Sequence, residues 1–293
     1  DQRLGDATKR MSSVFMATKG ADDFKSEYIQ SSLIGRGGFG NVYAGHRAAD
    51  SVPVAIKYVP KKLVKNVQYI NGEPYMVPNE VLLMLVTAGG PESKGKSAAI
   101  ALLDWCDLDE QIVLVMERPV NCRNLVSYMD QCPLQEALLK DIMRQLVDAA
   151  IYMHSVEVFH QDIKCDNILI EEDEELKNIR VRVIDFGSGY LTIQKQHSLA
   201  GTVFYEPPMI NKQKIYEGSP TTVWQLGGVL YDMLVGRKRF NTQLFLLDES
   251  KFFDDLKELT VSEDCLNFLR MCLNINSKER LTLEELRKHP WFQ

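Results

Sequence analysis

Apolar residues change their period partway along the chain. Between Tyr28 and about Val120 they come in short runs rich in β-branched and aromatic residues: "YIQSSLIG", "NVYAGHRA", "VPVAIKYV" and "QIVLVME". Each run is closed by Gly, Asp or Pro, which predicts strands separated by turns. Among them "PNEVLLMLVTAGG" has helical spacing and ends in Gly-Gly, so a helix with a glycine C-cap is predicted. From Leu125 onward the helical period takes over, as in "LQEALLKDIMRQLVDAAIYMHS" and "LTLEELRKHPWF". Strands first and helices after predict an α+β, bilobal protein. The small β-rich lobe with one main helix would cover about 25–117, and the larger helical lobe about 121–293. The joint is placed at Glu117-Arg118-Pro119-Val120. Residues 1–24 are polar and aperiodic and are expected to be a flexible lead-in. Acidic "EEDEEL", 171–176, is expected to be a solvated turn between two short strands.

Composition narrows the classes. A chain of 293 residues has room for one large domain or two lobes with ample core. Its 45% hydrophobic and 25% charged residues are ordinary for a soluble globular protein. A net charge of −6 argues against nucleic acid or an anionic membrane as the main partner. The six cysteines form no C-x-x-C pair, so they read as thiols of a reducing compartment, and a cytoplasmic or nuclear location is expected. The first residues lack the apolar core of a signal peptide. "VWQLGGVLYDMLVG" is broken by Gln225 and Asp232 and is too short to span a bilayer, so it reads as a buried helix.

Candidate chemistry comes in five weak signals. "IGRGGFGNV" carries Gly35, Gly37 and Gly40, a spacing shared by dinucleotide turns and by flexible hairpins. The following "NVYAGHRA" alternates like a strand, which favours a hairpin tip whose bare backbone N–H groups can approach phosphates. Lys57 in "VAIK" would by itself be a surface lysine on an edge strand; after such a hairpin it suggests an ammonium aimed at ATP phosphates. Glu80, at the start of the predicted helix, is the carboxylate available to position it, although a solvent-facing Glu is the bland alternative. In "VFHQDIKCDNILI", Asp162, Lys164 and Asn167 sit inside an apolar segment, where polar groups are costly without a task or a partner. Asp162 is suited to accept a hydroxyl proton, Lys164 to neutralise a transferring phosphoryl group, and Asn167 to ligate a metal. Asp185, ending the strand "VRVID" before Phe-Gly, offers a hard oxygen for Mg²⁺, while D-F-G alone reads as a turn. Their joint occurrence, in order, points to a phosphotransferase that uses ATP and Mg²⁺.

These motifs, together with "VMERPV", "YEPP", "VWQLGGVLYDMLVG" and "HPWFQ", resemble the eukaryotic protein kinases, and among them most the Pim serine/threonine kinases. The resemblance runs from about Tyr28 to the end, with a kinase domain expected over 25–293. It implies transfer of the γ-phosphate of Mg·ATP to Ser or Thr hydroxyls of protein substrates by a monomer. Ile34, Gly35, Arg36, Gly37, Gly38, Phe39, Gly40 and Val42 would then cover ATP, with Ala55, Met116 and Glu117 at the adenine end. Lys57 and Glu80 would serve the phosphates, and Asn167 and Asp185 the metal. Asp162 would be the base, and Met84, His160 and Phe186 would stack as a spine. Pro119 stands where other kinases offer adenine a backbone donor.

Four departures accompany the resemblance. Gln161 replaces the usual Arg of the catalytic loop. Met209 stands where kinases usually carry a Glu that pairs with an Arg, here Arg280. Thr222 stands where most have Asp. Acidic residues around the substrate cleft are thinned, in "VNCRNLVSYM" and the basic "GRKRFNTQ". A preference for basic residues before the target Ser or Thr, weaker than the Pim norm and with Asp166 as the nearby carboxylate, is therefore expected. So is activity without phosphorylation of the activation segment. The alternative is a pseudokinase or scaffold, suggested by Gln161 and Met209.

Overall fold

The computed structural model describes residues 20–293, except 65, 68–76, 132–133, 174–177, 193–199, 209–216, 238–239 and 257–258. The chain divides into two compact units, one ending at Asn121 and the other beginning at Cys122.

The first unit is built on a five-stranded antiparallel sheet in the order β1-β2-β3-β7-β6. Its strands are β1 (Tyr28–Gly37), β2 (Gly40–Arg47), β3 (Pro53–Pro60), β6 (Leu102–Asp107) and β7 (Gln111–Glu117); a small ladder of β4 (Asn66–Val67) and β5 (Val77–Pro78) stands apart. All four apolar runs are strands. Alternate residues of β3 and β7, Val54 and Ile56 with Val113 and Val115, bury one face in a cluster with Cys106, Phe24 and Tyr28. The predicted helix forms as α2 (Asn79–Thr87), and Gly89 beyond its end adopts φ +78°, the left-handed conformation that glycine takes without strain.

The expected lead-in is shorter than 24 residues. Ala21–Glu27 is a helix, α1, whose Phe24 is buried against Tyr28 (ring centroids 5.6 Å) and Tyr58 (6.4 Å). One large apolar residue in seven leaves no period to detect, yet a single ring buries enough area to dock a short helix. Residues 1–19 of that lead-in lie outside the described residues.

In the second unit a three-stranded sheet, β11-β10-β8, is formed by β8 (Cys122–Asn124), β10 (Ile168–Asp173) and β11 (Asn178–Val183), and a short ladder pairs β9 (Val158–Phe159) with β12 (Tyr190–Leu191). Around them lie α3 (Leu125–Met129), α4 (Glu136–Ser155), α5 (Gly218–Val235), α6 (Thr242–Leu247), α7 (Glu249–Leu256), α8 (Glu263–Cys272) and α9 (Leu283–Arg287). The run "VWQLGGVLYDMLVG" falls in α5 and its C-cap and is mostly buried, and its Gln and Asp are both satisfied: Asp232 accepts from the Tyr205 hydroxyl and from Phe240 N (2.6 Å), and Gln225 bonds two peptide groups. The segment 171–176 is not a turn throughout. β10 continues to Asp173, with Glu171, Glu172 and Asp173 opposite Arg180, Ile179 and Asn178. The acidic residues are tolerated there because Glu171 meets buried Arg182 (3.1 Å) and Glu172 meets Arg123 (2.9 Å). Counting charge along the chain missed these cross-strand partners; residues 174–176 lie outside the described residues.

Candidate active site

The first unit, taken by itself, holds a hairpin and an ion pair. β1 and β2 pair down to Gly37↔Gly40, leaving Gly38 and Phe39 as the two-residue tip, so Gly35 to Val42 form a hairpin and no helix follows the glycines. Gly40 has φ +139°, and a Cβ there would lie 2.0 Å from the Tyr58 carbonyl oxygen. Ile34 and Arg36 lie on β1 at the same end. Lys57 is on β3, an inner strand, paired with Val42 on one side and Leu114 on the other. An edge-strand surface lysine is thereby excluded: Lys57 is 4% exposed and its Nζ lies 2.6 Å from Glu80 Oε1 on α2, itself 8% exposed. Burying an ammonium costs several kcal/mol unless it is paired, which explains why these two residue types occur together. Ala55 and Met116 are buried cross-strand partners on β3 and β7. The Glu117 carboxylate turns back into its own unit, accepting from Gly95 N (2.9 Å) and Ala101 N (3.1 Å).

The second unit, taken by itself, holds the residues of "HQDIKCDN" and Asp185. Antiparallel pairing of Ile168 with Val183 sets Asn167 beside Ile184, whose N–H donates to Asn167 O (3.0 Å). Two residues eighteen apart in sequence, Asn167 and Asp185, are thus carried to the same end of one ladder. Asp162 is fixed from several sides. Its Oδ2 accepts from Lys164 Nζ (2.7 Å) and Asn167 Nδ2 (3.1 Å), and its Oδ1 accepts from Thr202 N (2.8 Å). Asn167 Nδ2 also donates to the Asp162 carbonyl (2.9 Å), and Lys164 Nζ to Thr202 Oγ1 (2.6 Å).

His160 is buried under the loop, its ring 4.9 Å from that of Phe186. Its Nδ1 accepts from Asp162 N (3.2 Å), so Nε2 carries the proton and donates to Ile184 O (3.0 Å). Burial lowers its pKa below the ordinary value and keeps this neutral form. Met84 is buried on α2 of the first unit. Gln161 and Asp185 have φ of +64° and +66°, a left-handed backbone that non-glycine residues rarely adopt and that tends to mark functional sites. Asp185 offsets part of this by accepting from Gly187 N (3.3 Å).

Two residues escaped the sequence reading. Gly201 packs against the Gln161 carbonyl, and Gln225 bonds the peptide groups of Gln161 and Ile163. No local motif marks either one. Arg280, expected to want a carboxylate, is served by three carbonyls: Asn274 (2.7 Å), Pro220 (2.7 Å) and Ile275 (3.3 Å). It also lies 5.0 Å from the Trp224 ring, and burial pushes its pKa down to about 10. Met209 lies outside the described residues. Thr222 donates to Gly218 O (3.0 Å) and lies 3.1 Å from His154 Nε2.

The model of the protein kinase domain matches residues 28–292. The serine/threonine-protein kinase pim-2 of Danio rerio is 32% identical over 296 aligned positions, which cover 100% of this chain and 93% of that protein. Serine/threonine-protein kinase prk-2 of Caenorhabditis elegans is also 32% identical, over 94% of this chain and 60% of its own length. Serine/threonine-protein kinase 1 of African swine fever virus is 27% identical over 91% of this chain and 80% of its own. With the family model matched over nearly its whole length, the chain belongs to the protein kinase family.

Proposed function

We propose that the chain is an active serine/threonine kinase of Pim type, transferring the γ-phosphate of ATP to protein hydroxyls. The single observation that carries this reading is the bonding around Asp162. A carboxylate oxygen has two lone pairs. Among the described residues Oδ2 is filled by Lys164 and Asn167, whereas Oδ1 has one donor, Thr202 N, and keeps one pair. Oδ1 is then the atom that takes the proton as the substrate hydroxyl attacks phosphorus and the bond to the ADP oxygen breaks. Lys164 uses two donors, on Asp162 and Thr202, leaving the third for the transferring phosphoryl oxygen. The donor set suits magnesium: Asn167 commits Nδ2 to Asp162, which leaves its amide oxygen, and Asp185 adds a carboxylate. Magnesium, when bound, neutralises charge on the phosphate oxygens. In the first unit, the glycine hairpin and the Lys57–Glu80 pair supply backbone donors and a positioned ammonium for phosphates.

Substrates with Arg or Lys before the target residue are favoured by the net charge of −6 and by the likeness to pim-2. The thinning of carboxylates along 120–129 and 236–243 makes this preference modest and sensitive to salt. A cytoplasmic or nuclear monomer fits the same reading; no helix among the described residues is long and apolar enough to cross a membrane. The test is a radiolabelled-ATP assay on a peptide array, with Asp162→Asn as control. Transfer to Ser or Thr flanked by basic residues, lost in the control, is expected. Equal label with the control, or none from the wild type, would defeat the reading, and the second result would favour a pseudokinase.

A further inference from the structure

We infer that Gln225, a residue of α5 that touches neither substrate, is the positioning residue for Asp162. The inference rests on the proposed role of Asp162 as proton acceptor. Gln225 is fully buried in the apolar run "VWQLGGV". A buried amide there is costly unless both ends are bonded, and both are. Its Nε2 donates to Gln161 O (2.6 Å) and its Oε1 accepts from Ile163 N (3.2 Å). Gln161 and Ile163 are the two residues that flank Asp162. One planar amide, gripping an acceptor before the aspartate and a donor after it, fixes both peptide planes at once.

The grip has something to hold against. Gln161 is in the left-handed region at φ +64° and is neither Gly, Asn nor Asp, so its backbone gains by relaxing toward a common conformation. Relaxation would swing the Gln161 carbonyl and the Asp162 peptide that follows it. On the other side, that carbonyl meets Gly201, where an added Cβ would lie 2.2 Å from it. Gly201 precedes Thr202, whose N–H and Oγ1 bond Asp162 and Lys164. The Gln161 carbonyl is therefore held between Gln225 and the segment that completes the site. Movement at this point displaces the carboxylate, the lysine and the threonine together.

The experiment compares wild type, Gln225→Met, Asp162→Asn and the double variant. Methionine keeps length and volume but bonds neither peptide. Because small misplacements of reacting groups can cost ~10²-fold, Gln225→Met is expected to lower kcat by about 10- to 100-fold, with KM for ATP nearly unchanged. In the Asp162→Asn background the same substitution is expected to have almost no further effect, since both act through one carboxylate. Hydrogen exchange at the Ile163 amide should quicken in Gln225→Met more than at amides elsewhere in α5. If Gln225→Met does not fold, Gln225→Asn carries the same comparison, because it keeps a polar amide that is one methylene too short to bond both peptide groups. An unchanged kcat, an equal loss in both backgrounds, or a loss that merely tracks the folded fraction overturns the inference and leaves the kinase reading intact. A wild type without turnover overturns both.

Discussion

Asp162 and Asp185 are both carboxylates, yet their surroundings assign them different work. Asp162 has donors on both oxygens and sits over neutral His160, while Asp185 caps the turn Phe186–Ser188 from a left-handed backbone. General-base help is worth ~10²–10⁴-fold, about 3–5 kcal/mol of barrier. Asp162→Asn is expected to lower kcat by that order with nucleotide affinity nearly intact, whereas Asp185→Asn should weaken nucleotide binding chiefly when Mg²⁺ is present. Calorimetric titration of ATP with and without the ion separates the two; equal behaviour of the variants would refute the division of roles. Most candidate side chains were legible at this scale because polar groups within apolar runs demand partners, as in "VFHQDIKCDNILI" and "VAIK". The left-handed backbone of Gln161 was not, since nothing in glutamine announces a positive φ. Gln225 escaped for a related reason: its partners lie 62 and 64 residues away, a distance that no local spacing reveals.

Among the elements, the β1–β2 hairpin separates folding from function in neighbouring glycines. A Cβ on Gly38 meets nothing within 4 Å, while one on Gly40 meets the Tyr58 carbonyl oxygen at 2.0 Å with φ already +139°. Gly38→Ala is expected to leave the melting temperature unchanged and, on the proposed role of the tip at the phosphates, to raise KM for ATP. Gly40→Ala is expected to lower the melting temperature. The opposite pattern in a thermal melt would show that the tip is not the nucleotide contact. The end of α4 makes a second element-scale claim. Thr222 donates its hydroxyl proton to Gly218 O, so His154 Nε2–H is the donor to Thr222. Burial lowers the His154 pKa to about 4 from an ordinary 6.5. The unfolded chain therefore takes up a proton between those values that the folded chain refuses, and stability is lost as pH falls through that window. The loss reaches about 3 kcal/mol by pH 4. Urea unfolding of His154→Gln should show a shallower fall from pH 7 to 4; parallel curves would exclude His154 as the cause. The helices and strands were readable from period, while the edges of elements were not. α1 hangs on one ring, and β10 reaches Asp173 through ion pairs made across strands.

For the molecule as a whole, the question is what holds the segment from Gly187 to Pro207 without a phosphate. Kinases with Arg beside the catalytic Asp present a fixed cation, and a phosphate added to the segment can pair with it and order it. Here that residue is Gln161, neutral and 3% exposed, and its Oε1 has no hydrogen-bond partner among the described residues. No cation stands at this position to be answered. Described parts of the segment are tied down by other means. Tyr190 and Leu191 pair with Phe159 and Val158, and Thr192 donates to Glu157 O through both N (2.9 Å) and Oγ1 (3.0 Å). Ser188 Oγ donates to Ala200 O (3.0 Å), Thr202 bonds Asp162 and Lys164, and Tyr205 bonds buried Asp232. Burial raises the Tyr205 pKa, so that phenol remains a donor. These contacts are neutral or internally paired, and none requires a modification. We therefore predict turnover without phosphorylation of the segment. The chain would be stripped with phosphatase, and Thr192 and Ser198 replaced by Ala; Ser198 lies outside the described residues. Thr192→Ala loses the hydroxyl bond to Glu157 but keeps the backbone one, so the β9–β12 ladder should survive. Retained kcat in the stripped double variant is the expected result. Activity that appears only after the segment is phosphorylated would mean that some cation other than residue 161 receives the phosphate.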